Sequence, residues 1–313
     1  MNEQFPTDFD MIVDKAKEIS KPIRVVIAGA EVENILLGAF DAQEAGFVYP
    51  ILVGNHKRIW DILEEHGLKD RQFDFHPISR DTNAVQYAID MIQAGEADVL
   101  MRGNTQTRDF LLPVLNKSNR LLDGEGLMTH VVMVKIPGTE KITAISDPTI
   151  LVRPTIEQRK EVIKNMVRAL KLIGVEKPNI AILSLVEKPS FHMKDTVEAQ
   201  TLVLHQQEEH FADCNLVGPI PYDLIVSKEA ARLKKYECEY CGEFDGIVAP
   251  DLMSGNLMIK ILEMNSRANS CGVIVGAKIP IAITSRSDSK EQAFLSLAAC
   301  AVMKTMPKYK DWK

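Results

Sequence analysis

A two-lobed α/β fold with mainly parallel sheets is predicted for this chain by three observations. Short β-branched runs alternate with longer segments of helical period, one tight hairpin interrupts that alternation, and 313 residues exceed what one small core needs. The strand candidates are Ile23–Gly29, Tyr49–Val53, Asp98–Met101, His130–Ile136, Lys141–Ile145, Ile180–Leu185, Gly246–Ala249, Gly272–Gly276 and Ile279–Thr284. Between them, Val32–Gly46, Thr82–Gly95, Thr155–Leu172, Gly255–Met264 and Glu291–Met303 carry helical patterns long enough for crossovers in a parallel sheet.

The hairpin is read from Pro137-Gly138-Thr139-Glu140, a turn signal between His130–Pro137 and Lys141–Asp147. An antiparallel pair inside a βαβ series marks a change of domain, so a boundary is predicted near Asp147, with a second lobe running to about Arg286. No fixed-period repeat and no low-complexity segment occurs.

Composition narrows the function classes. Hydrophobic residues are 46% and charged residues 26%, as in an ordinary globular enzyme. A net charge of −6 gives no general attraction to nucleic acid or to an anionic membrane, so an anionic ligand must be captured locally. Met1–Ser20 intersperses Asp10, Asp14, Lys15, Lys17 and Glu18 among its apolar residues and carries no export signal. No apolar run approaches the roughly 20 residues that span a bilayer. The expectation is a cytoplasmic protein without membrane partners. Five scattered cysteines fit a reducing compartment. Cys238-Glu239-Tyr240-Cys241 is a lone CxxC without the further ligands of a zinc site, and no histidine stands in a metal-binding pattern, so no metal is expected. The first strand ends Ala28-Gly29-Ala30-Glu31 without a Gly-x-Gly-x-x-Gly, and no Walker A loop is present.

Ligands of open α/β sheets bind beyond the carboxyl ends of strands, where helix N-termini present free N–H groups. Three such turns are unusually polar. In Met101-Arg102-Gly103-Asn104-Thr105-Gln106-Thr107-Arg108, Arg102 offers a bidentate donor for phosphate, Gly103 allows close backbone approach to a ligand, and Asn104 or Thr105 can cap the following helix. In Pro250-Asp251-Leu252-Met253-Ser254-Gly255-Asn256, the Ser-Gly-Asn run is either a binding element or an N-cap. In Thr284-Ser285-Arg286-Ser287-Asp288-Ser289, hydroxyls and an arginine precede the last helix, a combination suited to an oxyanion. Ser289-Lys290-Glu291-Gln292 also fits a capping box, which is the competing use of those polar groups. Ser184 and Lys188 lie beyond the strand Ile180–Leu185, where Lys188 suits phosphate. Asp147 can be a hinge, a turn former or a charged site residue.

These motifs, with Ala97–Asn104 and Thr107, Ile145-Ser146-Asp147, Ala181–Lys188, Ala249-Pro250-Asp251, Ser254-Gly255-Asn256 and Val275-Gly276-Ala277-Lys278-Ile279-Pro280 through Ser289, resemble the phosphate acetyl/butyryltransferase family from about Arg24 to Met303. Val186–Lys188 and Ser285–Ser289 are more similar to its butyryl branch. The resemblance implies an isocitrate/isopropylmalate dehydrogenase-like fold, with residues 1–146 and 287–313 in the first lobe, 147–286 in the second, and an active-site cleft between them. It also implies a homodimer whose substrates are acyl-CoA, CoA and phosphate, with no cofactor besides CoA as substrate. Ser285 and Arg286 match the pair that holds phosphate and polarises the acyl group. Arg102 stands where the family commonly has lysine; Asn104, Thr107, Ser184, Lys188, Ser254, Asn256 and Gly276 are the further binding candidates. The acetyl branch places its catalytic aspartate where this chain has Gln292, leaving Asp288, Glu291 and Asp147 as candidates for the base.

The expected reaction is acyl-CoA + phosphate = acyl phosphate + CoA with butyryl or another short-chain group, phosphate acetyltransfer being the alternative. A metal- and nicotinamide-dependent hydroxyacid dehydrogenase on the same fold needs an aspartate cluster and a set of arginines that the sequence does not offer. A non-catalytic CoA-ester-binding protein is the reading from another class.

Overall fold

The computed structural model describes residues 9–79, 82–124, 126–306 and 309. Met1–Asp8, the start of the stretch read above for an export signal, lie outside them. The chain forms two compact units, Asp10–Met128 with Cys271–Lys313, and Thr129–Ser270 together with Phe9.

The first unit opens with α1 (Asp10–Lys17), β1 (Ile23–Ala28), α2 (Glu33–Glu44), β2 (Val48–Gly54), α3 (His56–Glu65), β3 (Asp74–Pro77), α4 (Ala84–Gln93), β4 (Val99–Arg102) and α5 (Thr107–Val114). The second unit holds β5 (Thr129–Lys135), β6 (Ile142–Ser146), α6 (Ile156–Leu172), β7 (Asn179–Leu183), α7 (Lys194–Glu209), β8 (Asn215–Ile220), α8 (Tyr222–Val226), α9 (Lys228–Lys234), β9 (Gly246–Val248) and α10 (Leu252–Ser266). The chain then continues through β10 (Ser270–Val275), β11 (Ile281–Ala282) and α11 (Lys290–Thr305).

Strands of the first unit run in the order β3-β2-β1-β4-β11-β10. From β3 to β11 each neighbouring pair is parallel, and β10 is antiparallel to β11. The almost unbroken apolar sequence of β1, Ile-Arg-Val-Val-Ile-Ala, is what a strand covered on both faces requires. The helix α11 packs on α1 and α2. Gly38 makes the second of these contacts possible, because a Cβ there would lie 2.6 Å from the Lys290 carbonyl oxygen and 2.8 Å from the Ala293 Cβ.

The order in the second unit is β5-β6-β9-β7-β8, with β5 and β6 antiparallel and the others parallel. The hairpin forms where the turn signal placed it, with Gly138 at φ 86°. Its strands share a core with Ala181, Ile220, Ile247 and Leu262. The compact units therefore change over at 128/129 and 270/271 rather than at 146/147 and 286/287. Pairing decides this: β6 pairs with β9, which keeps the hairpin in the second unit, and β11 pairs with β4, which keeps Ile281–Ala282 in the first.

Two strands were absent from the sequence expectation. β3 reads Asp-Phe-His-Pro and β8 reads Asn-Leu-Val-Gly-Pro-Ile, so proline and polar residues break the apolar run. Both end their strand order, where proline is tolerated because one edge needs no ladder partner. Among the described residues, no helix is long and apolar enough to cross a membrane.

Candidate functional site

In the first unit the chemistry gathers where β4 ends. The Gly103 N–H donates to the Ala28 carbonyl at 3.0 Å, and a Cβ at Gly103 would lie 1.9 Å from the Gly29 carbonyl oxygen. The sequence reading gave Gly103 to a close-approaching ligand; its immediate neighbour is instead another stretch of this chain's backbone. That crossing fixes the direction in which Arg102 leaves the sheet. Arg102 is 6% exposed, and its guanidinium donates from Nε (3.1 Å) and Nη2 (2.7 Å) to the Thr105 carbonyl and from Nη1 (3.2 Å) to the Thr284 carbonyl. The side chain thus ties the β4–α5 turn to the segment after β11. Burial lowers its pKa, the Arg286 charge pushes the same way, and Asp288 opposes both.

The segment after β11 is held by its own short bonds. Asp288 Oδ2 accepts the Ser285 N–H at 2.7 Å, the Asp288 N–H donates to the Ser285 carbonyl at 3.1 Å, and the Ser285 and Ser287 hydroxyls lie 2.9 Å apart. Arg286 is exposed and makes no hydrogen bond or ion pair with the described residues. The buried hydroxyl oxygens of Thr105 and Thr284, the two residues whose carbonyls hold Arg102, have no hydrogen-bond partner among them either. Two arginine charges, unengaged buried hydroxyls and the first turn of α11 make this a place for a multiply charged oxyanion. From sequence, Thr105 reads with Asn104 as a candidate helix cap and Thr284 as the first residue of a polar turn; the N-cap of α5 is instead Gln106, and local sequence carries no signal that either threonine hydroxyl is unpaired.

Ser289 and Gln292 complete the capping box. The Gln292 side chain accepts the Ser289 N–H at 2.8 Å and the Ser289 hydroxyl accepts the Gln292 N–H at 3.2 Å. Gln292 is therefore buried in helix capping, while Glu291 is exposed on the first turn. Ser289→Ala should cost about 1 kcal/mol of stability, measured by urea denaturation. No change in midpoint would mean the cap is replaceable. Asn104 is exposed and Thr107 is the half-buried first residue of α5. Gly276 follows β10 at φ 94° and accepts the Asp123 N–H at 3.1 Å.

The second unit gathers a separate set. Asp147 is 4% exposed, and its carboxylate accepts N–H groups of His130 at 2.8 Å, Thr149 at 2.7 Å and Ile150 at 2.6 Å. Burial raises its pKa, against the lowering effect of these backbone donors. Its oxygens organise the 147–150 turn, the turn-forming use among the alternatives. The N-cap of α10 is Asp251, whose Oδ1 accepts the Ser254 N–H at 2.8 Å and its hydroxyl at 2.7 Å. The helix therefore starts at Leu252, three residues before the expected Gly255, and Ser254 and Asn256 lie within its first turns. Asn256 donates to the Pro148 carbonyl at 3.1 Å, and a Cβ at Gly255 would lie 2.9 Å from the Asp147 carbonyl oxygen. Asp147, Ser254 and Asn256 are thus adjacent. Ser184 follows β7 with a buried hydroxyl that has no partner among the described residues, and Lys188 is exposed beyond it.

Cys238 and Cys241 are free thiols that close a turn, the Cys241 N–H donating to the Cys238 carbonyl at 3.4 Å. Burial pushes the Cys241 thiol up to about 12. Among the described residues, no group of three or more His, Cys, Asp or Glu could hold a metal ion.

Residues 76–302 match the family described as Phosphate acetyl/butaryl transferase. The phosphate acetyltransferase of Thermotoga maritima is 30% identical over 297 residues, covering 93% of this chain and 99% of the relative. The phosphate butyryltransferase of Clostridium acetobutylicum is 30% identical over 289 residues, covering 92% and 95%. Among solved structures, a branched-chain phosphotransacylase from Enterococcus faecalis V583 superposes with a TM-score of 0.78 at 27% identity, covering 90% of this chain and 99% of the other. Sequence motifs, fold and extent of match coincide, and the chain belongs to the phosphate acetyl/butyryl transferase family.

Proposed function

We propose that this phosphate acyltransferase exchanges a butyryl or other short-chain acyl group between CoA and phosphate, using the cluster around Arg102 and Arg286. The observation that carries this reading is the pairing of a committed arginine with an uncommitted one. Arg102 is locked to two carbonyls, whereas Arg286 engages no described residue. Arg102 supplies a fixed positive charge and Arg286 takes phosphate oxygens, with Ser285 as a further donor. A phosphate oxygen attacks the acyl carbonyl, the tetrahedral oxyanion is met by the Ser285 hydroxyl and N–H groups at the start of α11, and CoA leaves as the thiolate. In reverse, a carboxylate takes the thiol proton; a thiol of pKa near 8.5 needs only modest help.

Asp288 is the carboxylate best placed for that step, since its charge acts on Arg102 within the same cluster. Asp288→Asn keeps an acceptor for the Ser285 N–H and removes only the charge. It should lower kcat at least about tenfold and abolish the acidic limb of the pH profile, where protonation of the base switches activity off, while Glu291→Gln leaves both unchanged. The opposite pattern would move the base to Glu291.

The acetyl and butyryl relatives are equally similar at 30% identity, so the short-chain assignment rests on the motifs Val186–Lys188 and Ser285–Ser289. The test is release of free thiol from acetyl-, propionyl-, butyryl- and isobutyryl-CoA with and without phosphate. Phosphate-dependent release fastest with the four-carbon esters is expected. Release with none of them would return the chain to the non-catalytic reading, and a preference for acetyl-CoA would reassign its branch.

A further inference from the structure

The loop between α9 and β9 carries a pair of thiols that acyl transfer does not use. Cys238 and Cys241 bracket a turn in which the Cys238 carbonyl accepts the Cys241 N–H, and a second turn follows at once, the Tyr240 carbonyl accepting the Glu243 N–H at 2.9 Å. A turn of this kind keeps its end Cα atoms within about 7 Å, the limit beyond which two cysteines cannot be bridged. Both side chains turn to the same core. Cys241 is buried with Ile225, Ala231 and Ile247, and the half-buried Cys238 packs against that cluster, as Tyr236 and Tyr240 do. There the two thiols hydrogen-bond each other. The backbone around them is anchored: the Gly242 N–H donates to the Ile225 carbonyl at 3.1 Å, an added Cβ at Gly242 would lie 2.8 Å from the Lys228 nitrogen, and Lys228 pairs with Glu243.

Exposure sets an order of reaction. Cys238 is the sulfur that a small molecule reaches first, whereas Cys241 is enclosed. Burial, then the charge that Cys238 carries as a thiolate and its hydrogen bond, hold the proton on Cys241. Capping Cys238 removes the last two of these, so Cys241 is released to react only after Cys238 has. We propose that Cys238 and Cys241 form a dithiol that exchanges with low-molecular-weight disulfides and closes reversibly into an intramolecular disulfide. In the first step the Cys238 sulfur gives up its proton and bonds one sulfur of the incoming disulfide. That S–S bond breaks, and one small thiol leaves with the proton. The Cys241 sulfur then attacks the Cys238 sulfur, breaks the mixed disulfide and releases the second small thiol, which takes the Cys241 proton. The cysteine pair is oxidised and the incoming disulfide is reduced to two thiols. This exchange is independent of the acyl-transfer reading.

The test treats the folded chain with oxidised glutathione, stops the exchange with acid, alkylates under denaturing conditions and reads each cysteine by peptide mass spectrometry. The peptide holding Cys238 and Cys241 should lose two hydrogen masses and escape alkylation, and dithiothreitol should restore both thiols. Cys214, Cys271 and Cys300 are buried and should be alkylated as in the untreated chain. Cys241→Ser should halt at a glutathione adduct on Cys238. In Cys238→Ser, Cys241 should react at least about tenfold more slowly than Cys238 does in Cys241→Ser, because access and thiolate character set the rate. A lasting glutathione adduct on Cys238 of the wild type would show that Cys241 does not resolve it and would overturn the proposal. A pair that stays reduced would do the same. So would equally fast oxidation of the three buried cysteines, which would trace the reaction to unfolding. The wild-type measurement decides among these outcomes, so a variant that fails to fold does not blur them.

Discussion

Arg286→Ala should raise the KM for phosphate and lower kcat about 100-fold, the scale expected when the group that holds and aims the attacking phosphate is removed. The expectation follows from how the two arginines are used. Arg102 is 6% exposed and spends bonds from all three guanidinium nitrogens on the Thr105 and Thr284 carbonyls. Arg286 is exposed and has no such commitments among the described residues. A guanidinium offers five N–H donors, so nearly all of Arg286's capacity is open to a ligand. Arg286→Lys keeps the charge but loses the planar fork, and an intermediate loss of about tenfold is expected. Initial-rate kinetics with varied phosphate check both variants, and near-normal constants for Arg286→Ala would end the assignment of this cluster to phosphate.

Gly103→Ala should destabilise the protein by about 3 kcal/mol, at the upper end for overpacking. The reason is backbone against backbone. The added Cβ would sit 1.9 Å from the Gly29 carbonyl oxygen and 2.9 Å from that of Ala28, with no flexible side chain to give way. Either β1's end or the β4–α5 turn must move, and the second choice carries Thr105 away from Arg102. Activity should therefore fall along with stability. Gly46→Ala is the matched comparison: Gly46 has φ 92° but an added Cβ would meet nothing within 4 Å, so only conformational strain of about 1 kcal/mol is expected. Denaturant unfolding of both proteins measures the difference, and equal midpoints would show that the crossing of Gly103 over Gly29 yields easily.

Much of the fold was legible in the sequence because parallel strands covered on both faces must be nearly continuously apolar, and the parallel neighbours β1 and β2 are. The hairpin was legible because Pro137-Gly138 can hardly do anything but turn. The edge strands β3 and β8 were not, since an edge relaxes the demand for apolar side chains that makes a strand visible. The start of α10 was misplaced by three residues because aspartate and serine are equally good caps; only the bond from the Ser254 N–H to Asp251 chooses between them.

The sequence by itself determined the α/β class, the family motifs and the residue types around each polar turn, because these depend on local pattern and spacing. Only tertiary structure decided how those residues are employed. Gly103 is a glycine because Gly29 passes over it, Arg102 is held by carbonyls 3 and 182 residues away along the chain, and Gln292 caps a helix. Whether a polar group is spent or available is settled by its partners, and partners such as Thr284 for Arg102 are distant in sequence. Local pattern therefore reveals which groups are present, and folding determines which of them remain open to a ligand.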